Sequence, residues 1–227
     1  MIPRNLNETS LSVLQWRMAW FSHNGNAEIW LAWKEQIIYP LLILKMKYFP
    51  KISRGDVYLS PANIEDVEQI TKRLNNMYIT DLFQVSHKIY WIEKWKNLIE
   101  YYNKSWDYFF AIVQNDWNKF IGLLWLSDID FINQTCELSI MIWETKNHNK
   151  WYWADAINAA LSYAFNTLNL YNISLCVKEH NKNAITCYKK VWFKEIWTRH
   201  HCRYCNGKRH NLIMMEILKP DWQEKNK

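Results

Sequence analysis

The chain has 227 residues, room for one fair-sized domain or a domain with an extension. A hydrophobic fraction of 49% allows a globular core, and a formal charge of +6, with no dense Lys/Arg cluster, does not mark a nucleic-acid binder. The longest apolar run, "IIYPLLIL", falls far short of the ~20 residues that span a bilayer, and "MIPRNLNETS" lacks the charged-then-apolar layout of a signal peptide.

Cys136, Cys176, Cys187, Cys202 and Cys205 are odd in number and scattered, which suits a reducing cytoplasm, the expected location. The counts of Gly 4 and Trp 15 are abnormal. Average usage of about 7% predicts roughly 16 glycines in this length. Together the two counts approach an ordinary glycine content plus a few tryptophans. Either the protein is tryptophan-rich, or a codon that its source reads as glycine, UGA, has been translated as tryptophan. Composition leaves both open.

Residues 1–53 show no persistent helical or alternating pattern and are read as an N-terminal extension of unknown role, or as translated upstream sequence. "DVYLSPA" reads as a short strand. "NIEDVEQITKRLNNM" opens with Asn63 as N-cap and Asp66 three residues on, a helix start, and "WIEKWKNLIEYYN" is a second helix. "YFFAIVQ" and "KFIGLLWLSDI" are strands around "NDWN", a turn that becomes a strong hairpin signal if Trp117 is glycine. "TCELSIMI" is a third strand, with Glu137, Ser139 and Met141 on one face and Leu138, Ile140 and Ile142 on the other. The following helix repeats apolar residues at Ala154, Ile157, Leu161, Ala164 and Leu168. "ISLCVKE" is a strand, "NAITCYKKV" a helix, and two last strands flank the turn Asn206-Gly207. The order β-α-α-β-β-β-α-β-α-β-β predicts a mixed α/β sheet over residues 54–219, with a polar tail over 220–227.

Against this frame, "NHNKWYWADAI" enters its helix as a phosphate-cradling loop does, yet with two tryptophans. Residues 54–219, most specifically the segment from Lys119 to Leu218, resemble the GNAT superfamily of acetyl-CoA-dependent N-acetyltransferases, most closely the branch of ribosomal-protein and spermidine N-acetyltransferases. The family's coenzyme loop, Arg/Gln-x-x-Gly-x-Gly/Ala, appears as His148, Asn149, Lys150, Trp151, Tyr152 and Trp153, with Ala154 next. A second segment, Asn-x-x-Ala-x-x-x-Tyr-x-x-x-Gly-Phe, appears as Asn181, Ala184, Tyr188, Trp192 and Phe193, and Trp197 stands at a further family glycine. Drift would scatter several residue types over these positions. Uniform replacement by tryptophan points to UGA misreading, with Trp95 and Trp222 as the genuine tryptophans.

The resemblance implies the GNAT acyl-CoA N-acyltransferase fold and direct transfer of acetyl from acetyl-CoA to a primary amine in a ternary complex. The acceptor is a protein N-terminus, a polyamine or a small amine. No metal, nucleic acid or membrane partner is implied, and a homodimer is the expected assembly. Bare backbone at 151 and 153 would let the loop amides and helix N-terminus hold the pyrophosphate. With indoles there, coenzyme affinity should largely fail, and the alternative is a catalytically inactive GNAT-fold binding module. The strand around Met141, Ile142 and Trp143 would offer backbone groups to the pantetheine arm. Tyr188 matches the family acid that protonates the leaving thiolate, although its helical apolar stripe with Ala184 and Val191 also suits a core tyrosine. Asn181 would orient the coenzyme, serve as a helix N-cap, or both. Glu137 is either the base or a salt-bridged surface carboxylate; Asp128 and Asp130 either attract a cationic acceptor or shape a turn. Cys202 and Cys205 with His210 have zinc-like spacing, but positions three apart on a strand face opposite ways, so metal is set aside.

Overall fold

The computed structural model describes residues 47–82, 88–102, 104–105, 107–143, 151–205 and 207–225. The chain divides into Met1–Lys47 and a compact unit, Tyr48–Lys227. The compact unit is built on one eight-stranded sheet in the order β1-β2-β3-β4-β5-β6-β8-β7. Its strands are β1 (Ile52–Arg54), β2 (Val57–Pro61), β3 (Tyr108–Gln114), β4 (Lys119–Asp130), β5 (Thr135–Ile142), β6 (Asn172–Lys178), β7 (Lys194–Cys205) and β8 (Lys208–Leu218). The helices are α1 (Val67–Leu74), α2 (Met77–Thr80), α3 (Ile92–Tyr102), α4 (Trp151–Ser162), α5 (Lys182–Lys190) and α6 (Lys219–Lys225).

This is the mixed α/β architecture expected, with three additions. β1 pairs antiparallel with β2 and starts at Ile52, so the sheet begins inside the stretch assigned to the extension. The four-residue α2 is too short to show a period. The presumed polar tail is α6, because its one large apolar residue, Trp222, is buried beside Phe165 at 5.5 Å between ring centroids.

Alternation divides the core into two layers. Leu138 and Ile140 of β5 face α4 and α5, with Ile157, Leu161 and Phe165. Met141 joins Leu123 and Phe109 under Ile70 of α1 and Trp95 and Ile99 of α3. The middle of the sheet is tight. A Cβ on Gly122 of β4 would collide with the Met141 carbonyl oxygen on the neighbouring strand.

The tryptophans differ in what their backbone demands. Trp192 follows α5 with φ +74°, the left-handed region that favours glycine. Its N–H donates to Lys189 O and the Phe193 N–H donates to Tyr188 O, both at 3.1 Å. These two bonds form the Schellman motif that ends helices, with Trp192 at its usual glycine position. Trp117 is a correction: positive φ in that turn belongs to Asn118, so the backbone does not ask for glycine at 117, where the indole is 78% exposed. Trp143 is buried edge-on to Phe120, and its indole N–H has no partner. That orphan does not single out a misread codon, because Trp95, packed between Tyr90 and Phe109, has one too.

Candidate active site

The site begins where two strands part. β4 pairs with β5 as far as Ile142, whereas the parallel pairing of β5 with β6 runs only from Thr135↔Asn172 to Glu137↔Ser174. Beyond that point the edge of β5 that faced β6 has no ladder partner among the described residues. Backbone N–H and C=O groups left this way need other partners. A cavity of about 420 Å³ opens there, lined by Leu138 to Met141 on one side and Cys176 to Lys178 on the other.

Six residues singled out from sequence border this cavity: Glu137, Met141, Trp153, Asn181, Ala184 and Tyr188. Each is placed by its element. Alternation along β5 turns Glu137 and Met141 to the α3 side, since Leu138 and Ile140 must enter the other core layer. Asn181 caps α5, its Oδ1 accepting from the Ala184 N–H at 3.2 Å. Capping and lining the cavity are therefore both realised. Tyr188, 6% exposed, lies one turn beyond Ala184 on the same face, with its ring 5.8 Å from Phe193 and 6.2 Å from the Trp153 indole.

Other expected residues lie elsewhere. Ile142, Trp143, Tyr152 and Ala154 do not line the cavity. The Tyr152 side chain is turned inward, where its Oη accepts from Gln114 Nε2 at 2.8 Å, so only its backbone faces the helix start. His148, Asn149 and Lys150 fall outside the described residues. Trp151 and Trp153 occupy the first turn of α4. Trp153 is not among the positive-φ residues, so any need for glycine at 153 comes from close approach to a ligand, not from backbone strain. The first amides of a helix lack intrahelical acceptors and favour anions. The Asp155 carboxylate holds this turn to the sheet edge by accepting from the Asp56 N–H at 3.1 Å.

Electrostatics separate the two candidate proton carriers. Burial, then the nearby Asp128 charge, raises the Glu137 carboxyl above its ordinary value. Burial pushes the Tyr188 phenol well up, so it stays protonated throughout the neutral range. Asp130 is a turn residue: its carboxylate accepts from the Ile132 and Asn133 N–H groups and from Asn133 Nδ2, and these bonds hold its pKa down. Cys202 and Cys205 diverge, the first bonding to Arg199 O and the second to Asp81 Oδ1.

Sequence reading missed the opposite wall. Tyr90, Tyr102 and Lys94 come from α3 and its flank, Phe109 from β3 and Lys178 from β6. The sequence marked this segment as a helix but not which of its faces lines a cavity. Lys178 was detectable, because alternation from Ser174 through Cys176 places it on the Glu137 face of the sheet.

A family profile described as "Acetyltransferase (GNAT) domain" matches residues 56–194, more than half of the chain. The chain belongs to the GNAT acetyltransferase family. Spermidine N(1)-acetyltransferase of Vibrio cholerae is 31% identical over 107 residues, which cover 47% of this chain and 61% of that protein. The chain thus spans about three fifths of the length of this curated GNAT relative. In fold it is similar to the crystal structure of the Vibrio cholerae spermidine N-acetyltransferase in complex with CoA and spermine (TM-score 0.68, 24% identity, 74% of this chain and 98% of that one). It is similar also to a dodecameric structure of the Vibrio cholerae enzyme in an intermediate state (TM-score 0.64, 24% identity, 76% and 99%). These likenesses agree with the GNAT fold and branch expected from sequence. Among the described residues no helix is long and apolar enough to cross a membrane.

Proposed function

We propose that the chain is an acetyl-CoA-dependent N-acetyltransferase in which a primary amine attacks the thioester directly. The observation that carries this reading is the released edge of β5, which opens onto one cavity with Glu137, Asn181 and Tyr188. An extended chain with amide groups fits beside such an edge as an added strand would. The orphan amides of α4 suit a diphosphate. The site fits acetyl-CoA with one obstruction, the Trp153 indole standing against Tyr188.

The chemistry assigns each group one task. A free alkylamine has a pKa of about 10.4, so it arrives protonated at neutral pH. Glu137, directly or through water, takes that proton. As the C–N bond forms, backbone N–H groups of the open β5 edge stabilise the oxyanion. The C–S bond then breaks, Tyr188 gives its proton to the departing thiolate, and the second proton shed by the attacking nitrogen restores the phenol, while Glu137 returns the first to solvent. The products are an amide and a free thiol.

Cys136, Cys176 and Cys202 carry free thiols, which supports placing the protein in a reducing cytoplasm. Self-association is part of the proposal, and the dodecameric neighbour supports it without fixing a dimer. The coding DNA provides a direct test: UGA at Trp125, Trp143, Trp151, Trp153, Trp192 and Trp197 supports the enzyme. UGG at all six would leave the inactive binding module ahead. With glycine restored, the protein should release thiol from acetyl-CoA in the presence of an amine; no release with any amine would overturn the assignment.

A further inference from the structure

Among the described residues, lysines outnumber carboxylates on the lining of the cavity beside β5, with the Asp128 charge lying behind Glu137. Among its described lining residues the cations are Lys88, Lys94 and Lys178, and the one carboxylate is Glu137. Lys88 and Lys94 are exposed and stand at the rim. Lys178 is deep, 3% exposed, with Nζ donating to the Asp81 backbone oxygen at 2.8 Å. Burial lowers its pKa, while Asp81 and Cys205 oppose that shift.

This charge pattern discriminates among amines. A polyamine brings several ammonium groups, and burying a cation without an opposing charge is costly. One of its ammoniums would meet Glu137 with the Asp128 charge behind it, and the others would meet the lining lysines. The aromatic wall offers little relief, because the Tyr90 ring already lies under Lys94 Nζ at 5.4 Å. Tyr102, Phe109 and Trp125 remain as flat apolar faces that accept an uncharged body.

We infer that the acceptor is a primary amine that also bears an anionic group, a carboxylate or a phosphate. Its amine is directed to Glu137 and its anion to Lys88 and Lys94. This inference rests on the acetyltransferase reading of the same cavity, and it separates this chain from the polyamine specificity in its relative's name.

The test uses the W151G/W153G chain and four probes: spermidine, phenethylamine, glycylphenylalanine and phosphoethanolamine. Thiol release gives kcat/KM for each, and quenching of tryptophan fluorescence gives binding without turnover. The dipeptide or the phosphoamine should exceed spermidine, and the better of the two identifies carboxylate or phosphate as the anion. In the charge-reversed K88E/K94E variant that preference should fall roughly three- to tenfold, the scale of one or two partly exposed ion pairs. Spermidine as the best acceptor, or an unchanged ratio in K88E/K94E, would overturn the inference. If no probe releases thiol, the acetyltransferase reading fails, and the binding order still decides for or against an anionic ligand.

Discussion

Trp192 shows how one residue can disagree with the backbone around it. The Schellman bonds after α5 hold it at φ +74°. An L side chain in that region costs roughly 1–2 kcal/mol. Its exposed ring returns part of this by contact with Lys225 Nζ at 4.9 Å, worth about 0.5–1 kcal/mol. The first effect outweighs the second. Trp192→Gly should therefore raise stability by about 1 kcal/mol, seen as a higher urea midpoint at unchanged slope. A lower midpoint would show that the ring contact dominates.

The two proton carriers make separate predictions. Tyr188→Phe should cut kcat at least tenfold while leaving acetyl-CoA affinity nearly intact. An equal loss in both would make the tyrosine a packing residue only. For Glu137, the folded pKa is raised, so the fold favours its protonated form. Its contribution to stability is present below the unfolded carboxylate pKa and is lost as pH rises through the folded value. Glu137→Gln should thus be more stable than the parent at pH 8 and indistinguishable from it near pH 3, while losing turnover. The acid limb of the parent pH–rate profile should lie above the ordinary carboxylate range and vanish in the variant. A variant that keeps the limb would assign the base elsewhere.

At the scale of elements, the site depends on β4 and β5 staying in register while β5 and β6 separate. Gly122 sits in the first pairing, opposite Ile142. Because the obstacle to a Cβ there is backbone, the strain cannot be relieved by a side-chain rotation. Gly122→Ala should cost about 1–3 kcal/mol, the scale of overpacking, measured by thermal unfolding; a neutral effect would mean the strands yield freely. The strands and helices themselves were largely readable, since β5 alternates with period two and α4 repeats with the helical period. β1 and α2 are too short to carry a period, and α6 hides one burying residue among polar ones. The separation of β5 from β6 was not readable, because it belongs to neither strand alone. The α3 wall was half readable: the segment read as a helix, but only tertiary packing brings its apolar face to Glu137.

Across the whole molecule, the sheet brings residues more than fifty positions apart to one cavity, from Lys88 and Lys94 through Glu137 to Tyr188. The amine end and the acidic-proton end of the proposed reaction thus arrive from different halves of the unit. Of the sequence-derived site, Asn181 and Tyr188 were legible through the family motif and Glu137 through strand alternation, which also reaches Lys178, whereas the aromatic wall became apparent only in the fold. The central claim is that bare backbone at 151 and 153 is what admits the coenzyme. Two chains, one with tryptophan and one with glycine at both positions, should be titrated with acetyl-CoA by calorimetry and by thermal shift. The account predicts saturable binding and a rising midpoint for the glycine chain, about 2.7 kcal/mol of added stability at a hundredfold excess over Kd, and neither effect for the tryptophan chain. Equal binding by both chains, or none by the glycine chain, would contradict it.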